Sequence, residues 1–120
     1  MSSLFAIFIG GGLGSLCRFC LSLVLNGRLL PWGTFTVNLL GSFVLGLGAA
    51  WAARHGWSDF WQRLLIVGFC GGFTTFSTFS KEWFDMLSQG RGLAAVLYPL
   101  GTLAGVLACV AIGYRLGMGR

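Results

Sequence analysis

Gly68-Phe69-Cys70-Gly71-Gly72-Phe73-Thr74-Thr75-Phe76-Ser77-Thr78-Phe79-Ser80 is an uncharged stretch in which a glycine pair, phenylalanines and five hydroxyl residues follow one another. It closes an apolar run that begins near Leu64, and it leads into Lys81-Glu82-Trp83-Phe84-Asp85. Gly71-Gly72, placed at membrane depth, predicts a break in a membrane-spanning helix. Such a break frees backbone carbonyls, which is tolerated only where protein, water or an ion satisfies them. Discontinuous helices of this kind often build ion sites near the bilayer midplane. Past the break, helical spacing puts Phe73, Phe76 and Phe79 on one face. Thr75, Thr78 and Glu82 fall on another face that leads toward Asp85. Aromatic rows commonly serve packing or face lipid. A phenyl ring also has a positive edge, so rings presented edge-on favour an anion without a formal charge.

The rest of the chain places this stretch in a bilayer. Of 120 residues, 56% are hydrophobic and 9% charged, against about 25% charged in an average soluble domain. That leaves too little charge for a water-facing shell and excludes an ordinary soluble enzyme. The +5 balance is spread over cations scattered singly, so it gives no clustered patch for nucleic acid. Four apolar runs predict one all-α membrane domain over residues 1–120, with spans at about 4–25, 33–53, 64–86 and 93–114. Each is long enough to cross ~30 Å of hydrocarbon at ~1.5 Å per residue. The unbroken runs lack the period-two alternation of a barrel. Met1 to Gly14 has no basic n-region and no cleavage segment follows, so the first run is expected to be a span. Cys17, Cys20, Cys70 and Cys109 all lie in apolar runs and are expected to act as small buried hydrophobes.

Four spans put both termini on one side, with Arg54, Arg63, Arg115 and Arg120. The opposite side has Arg28, Lys81 and Arg91, with Arg18 in the half of its span nearest to it. Orientation follows the lysine and arginine excess of one side, and four against four gives none. Either a weak bias such as loop length decides, or copies insert both ways and assemble as antiparallel pairs.

Small residues four apart mark close helix contacts in membranes. Such rows are Gly10 and Gly14, then Gly68 and Gly72, then Gly101, Gly105, Cys109, Gly113 and Gly117. In the second span Thr34, Asn38, Ser42 and Gly46 share a face. An asparagine in hydrocarbon must find partners, in either an interhelical hydrogen bond or a polar pathway. Tyr98 and Thr102 form a shorter polar pair in the fourth span. Arg18 either snorkels to the interface or holds a positive potential at a pore vestibule. No carboxylate precedes Glu82 at the membrane margin, which weakens a proton-coupled carrier needing a buried acid relay.

At these residues the sequence resembles the CrcB, or Fluc, family of fluoride channels. The likeness covers essentially the whole chain. It rests on Gly11-Gly12-Leu13-Gly14 with Arg18-Phe19, on Gly33-Thr34-Phe35-Thr36-Val37-Asn38-Leu39-Leu40-Gly41-Ser42-Phe43, and on the opening stretch with Glu82. It implies a dual-topology antiparallel homodimer with two pores in the bacterial plasma membrane, moving fluoride passively out of the cell. It also implies a structural sodium ion at the dimer centre, held by backbone carbonyls that fall on Gly71 and Thr74. The family's pore asparagine falls on Asn38, its pore phenylalanines on Phe76 and Phe79, and its fourth-span tyrosine on Tyr98. The hydroxyl one turn on, commonly serine, is Thr102 here. The third-span hydroxyls and acid correspond to Thr75, Thr78 and Glu82.

Together these readings put Asn38, Thr34, Ser42, Thr75, Thr78, Tyr98, Thr102, Phe76 and Phe79 on a fluoride path, with Arg18 and Glu82 in its vestibules. Two readings compete. A small multidrug exporter shares the four-span plan but would carry a membrane-embedded glutamate in its first span, and this chain has none. A non-transporting assembly subunit could be built on the same glycine faces.

Overall fold

The computed structural model describes residues 2–27 and 30–119. Arg28 and Arg120, two of the cations in the charge count, lie outside the described residues. The described chain is all-helical. Its elements are α1 (Ser2–Leu25), α2 (Trp32–His55), α3 (Asp59–Trp61), a π-helical segment (Gln62–Cys70), α4 (Gly71–Phe73), α5 (Phe76–Ser88) and α6 (Gly92–Gly117). Three of these, α1, α2 and α6, are long and apolar enough to cross a membrane. Large apolar side chains cover their outer faces: Phe8 is 78% exposed and Val24 79%. A surface of that kind suits lipid, not water.

The elements end for identifiable reasons. Asn26 Oδ1 accepts from the backbone N–H groups of Gly33 (2.7 Å) and Thr34 (3.2 Å), satisfying donors that the start of α2 leaves open. Gly56 closes α2 with φ +62°, a conformation that glycine adopts without a Cβ penalty.

Two helix pairs form the body of the fold, and close backbone approach holds both. α1 lies against the π-helical segment and α4. A Cβ on Gly14 would meet the Phe69 carbonyl, and one on Gly72 would meet the Gly11 carbonyl. α2 lies along α6, where Gly46 faces the Val110 carbonyl and Gly113 the Phe43 carbonyl. The four-residue glycine spacing thus marks real contact faces. The row in α6 grades outward, however: Gly101 has only the Phe35 ring, at 4.0 Å.

The break is not where the glycine pair suggests. Gly71 and Gly72 are helical, whereas Thr74 (φ −85°, ψ 156°) and Thr75 (φ −150°, ψ 123°) are extended. Gly72 is needed instead for contact with α1. Thr75 then starts α5 as its N-cap, its Oγ1 accepting from Thr78 N–H at 3.2 Å. The aromatic row is divided in consequence. Phe73 precedes the extended pair and is buried, Phe76 is 74% exposed, and Phe79 is 3% exposed. Cys70 is buried, but Cys17 and Cys20 are exposed on α1, contrary to the expectation of burial.

Candidate functional site

The extended pair at Thr74 and Thr75 is held by α2. Asn38, 7% exposed, accepts from Thr75 N–H through Oδ1 at 2.8 Å and donates to the Thr75 carbonyl through Nδ2 at 3.1 Å. One amide therefore satisfies both backbone groups of a residue outside the helical ladder. Gly41, one turn further along α2, lets that helix come close: a Cβ there would meet the Thr74 methyl, with the Phe73 ring at 3.1 Å.

This arrangement redirects the ordinary helical donors of the Gly71 and Thr74 carbonyls. Thr75 N–H, the ordinary helical donor to Gly71, goes to Asn38. Thr78 N–H, the ordinary donor to Thr74, goes to Thr75 Oγ1. Gly71 itself has open space where a Cβ would be. Carbonyl oxygens freed in this way suit a hard cation. Gly72 differs, because its carbonyl accepts from Arg18 Nε at 3.2 Å and from Ser15 Oγ at 3.5 Å. Arg18 thus ties α1 to the end of α4, a role that neither of its two sequence readings contained.

Around the extended pair lies a cleft of about 500 Å³. Asn38, Ser42, Gly71, Thr74, Thr75, Phe76, Phe79 and Thr102 all line it. No charged residue is among its described lining residues. Thr102 Oγ1 is buried and has no hydrogen-bond partner among the described residues, so its donor is available to an occupant. Asn38 has a second amide hydrogen beyond the one given to Thr75. The Phe76 and Phe79 rings stand 5.7 Å apart at 54°.

A second polar group adjoins this cleft. Glu82 accepts from Thr34 Oγ1 at 3.1 Å on one carboxylate oxygen and from the Tyr98 hydroxyl at 3.2 Å on the other. Glu82 therefore joins α2, α5 and α6, and it also lines a smaller polar opening with Asn26, Asp85, Gln89 and Arg91. The Tyr98 ring packs on Phe79 with centroids 5.0 Å apart. Of the sequence-assigned residues, Thr34, Glu82 and Tyr98 form this group and Thr78 joins through Thr75. The others line the cleft, apart from Arg18.

Comparison with known proteins decides the family. Residues 5–114 match the model described as CrcB-like protein, Camphor Resistance (CrcB). The chain belongs to the CrcB family. Proteins named fluoride-specific ion channel FluC from Salmonella arizonae, Salmonella paratyphi B and Salmonella newport are each 47% identical to it over 116 residues. Each alignment covers 94% of this chain and 91% of the relative. Within this CrcB chain, residues outside the sequence reading also shape the site: Asn26 caps α2, and Trp83 reaches from α5 to α6. Asn26 lies six residues ahead of α2, whose N-cap is Pro31, too far to be read as a start signal. Trp83 carries no local signal either.

Proposed function

We propose that this CrcB chain is a fluoride-specific ion channel giving passive, potential-driven export of fluoride. It is a multi-pass protein of the bacterial membrane and is not an enzyme. The observation that carries the reading is the cleft lined by an amide, hydroxyls and two phenylalanines, with no charged residue among its described lining residues. Fluoride is small and strongly hydrated, so it needs many replacement donors on leaving water. Asn38, Ser42, Thr75 and Thr102 supply them, while the Phe76 and Phe79 edges line a narrow path. The Thr34–Glu82–Tyr98 group continues the polar surface toward the membrane margin. A membrane potential of 100 mV is worth ~2.3 kcal/mol per charge. At ~1.4 kcal/mol per tenfold, it holds internal fluoride roughly fortyfold below outside. No coupled energy source is required.

The working unit in this reading is an antiparallel homodimer of four-span chains, each broken in its third span. Its support is the even division of cations and a cleft that one chain leaves open. A two-fold axis in the membrane plane would bring the Gly71 and Thr74 carbonyls of one copy against those of the other. Sodium bound there would neutralise the facing carbonyl dipoles and fix the interface.

The reading is tested with the purified protein in liposomes. Fluoride efflux with valinomycin and no proton gradient supports it. Proton-dependent transport of an organic cation would point to an exporter, and silence to a non-transporting subunit.

A further inference from the structure

α6 contains a proline inside the helix, Pro99. Proline has no N–H, so the carbonyl four residues earlier loses its helical donor. That carbonyl belongs to Ala95, which is 5% exposed, and an unpaired buried carbonyl is costly. Here the missing donor comes from another helix. Trp83 Nε1 on α5 donates to the Ala95 carbonyl at 2.8 Å.

The bond lies one helical turn from the aromatic path. Trp83 is four residues from Phe79, and their ring centroids are 6.1 Å apart. Phe79 in turn sits on Tyr98 of α6, the residue just before Pro99. The indole therefore fixes how α5 is rotated against α6 at the level where Phe79 meets Tyr98. Phe79 has three aromatic neighbours, Phe76 and Trp83 on α5 and Tyr98 on α6.

We propose that Trp83 is a positioning residue for fluoride permeation: its bond to the carbonyl freed by Pro99 latches α5 to α6 and sets the Phe79 ring. This rests on the fluoride-channel reading above. The latch needs the indole N–H and one lone pair of the Ala95 carbonyl, which has two and can accept from Trp83 even when α6 supplies its own donor. The two can be separated by mutation. Trp83→Phe removes the donor but keeps a ring. Pro99→Ala supplies a backbone N–H that satisfies Ala95 within α6, whether or not Trp83 is present.

Four proteins would be compared in liposomes: the unaltered chain, W83F, P99A, and W83F with P99A. Fluoride efflux, chloride leak and the thermal unfolding midpoint would be measured for each. Efflux from the unaltered chain tests the channel reading by itself, and the latch is judged from ratios to that rate. W83F should slow fluoride efflux about tenfold, the scale set by one lost hydrogen bond of about 1.4 kcal/mol, and should lower the midpoint. P99A alone should keep the efflux within about threefold. The double variant should regain the midpoint, because the carbonyl is satisfied, yet remain slow or leak chloride. Its carbonyl has a partner, so it decides the matter even if W83F alone does not fold. Efflux and selectivity both restored in the double variant would overturn the proposal, reducing Trp83 to a carbonyl partner. Normal efflux and selectivity in W83F would overturn it equally.

Discussion

Removing the Asn38 side chain separates the two tasks assigned to it. Asn38→Ala deletes both bonds to Thr75, at 2.8 and 3.1 Å. Each backbone group left unpaired costs about 1–3 kcal/mol when buried. Thr75 borders an open cleft that water can enter, so the lower half of that range applies, giving about 2–4 kcal/mol for the pair. That is a large part of a typical folding free energy of about 5–15 kcal/mol. Asn38→Asp keeps an acceptor for Thr75 N–H but loses the donor to the Thr75 carbonyl, so it should lose about half as much. It also puts a carboxylate into a cleft that has no charged residue among its described lining residues, and it should abolish fluoride efflux. The assay combines unfolding midpoints in detergent with fluoride-electrode efflux from liposomes. An alanine variant with an unchanged midpoint would refute the claim that Asn38 holds the extended pair. An aspartate variant with normal efflux would refute the anion path.

Three further outcomes follow from the packing and the site. Gly72→Ala drives a Cβ into the Gly11 carbonyl and should cost about 1–3 kcal/mol, read as a lowered unfolding midpoint. Gly12→Ala, which meets nothing within 4 Å, should leave the midpoint within about 0.5 kcal/mol equivalent. Phe79→Ile and Phe76→Ile should each reduce fluoride efflux at least about tenfold, a barrier rise of ~1.4 kcal/mol. Only Phe79→Ile should also lower the midpoint, because Phe79 is buried against Tyr98 and Phe76 is exposed. Replacing sodium by a bulky organic cation on both sides of the liposomes should suppress efflux until sodium is restored. Undiminished efflux after exhaustive exchange would remove sodium from the account.

The four-residue glycine spacing and the polar face of α2 were legible because both are periodic and local. A helix period puts Asn38 and Ser42 together without knowledge of their partners, and both line the cleft. The position of the break was not legible from Gly71-Gly72. What opens the helix is Asn38, 37 residues away, taking the Thr75 N–H, and no local propensity encodes that contact. Thr75 was nonetheless readable as a helix start, since threonine is a favoured N-cap. The division of Phe73 from Phe76 follows from the same long-range bond. Trp83 was invisible for a similar reason: its meaning depends on Pro99, which lies on a different helix. Arg18 was read by charge alone, whereas its Nε is committed to the Gly72 carbonyl.

The most direct test of the central claim is the reversal potential of the purified protein in a planar bilayer under a tenfold fluoride gradient. Combining ~2.3 kcal/mol per charge per 100 mV with ~1.4 kcal/mol per tenfold gives about 60 mV for a fluoride-selective channel. The account predicts that value, of the sign for fluoride, unchanged by a superimposed chloride or proton gradient. A reversal potential near zero, or one that follows chloride or protons, would contradict it.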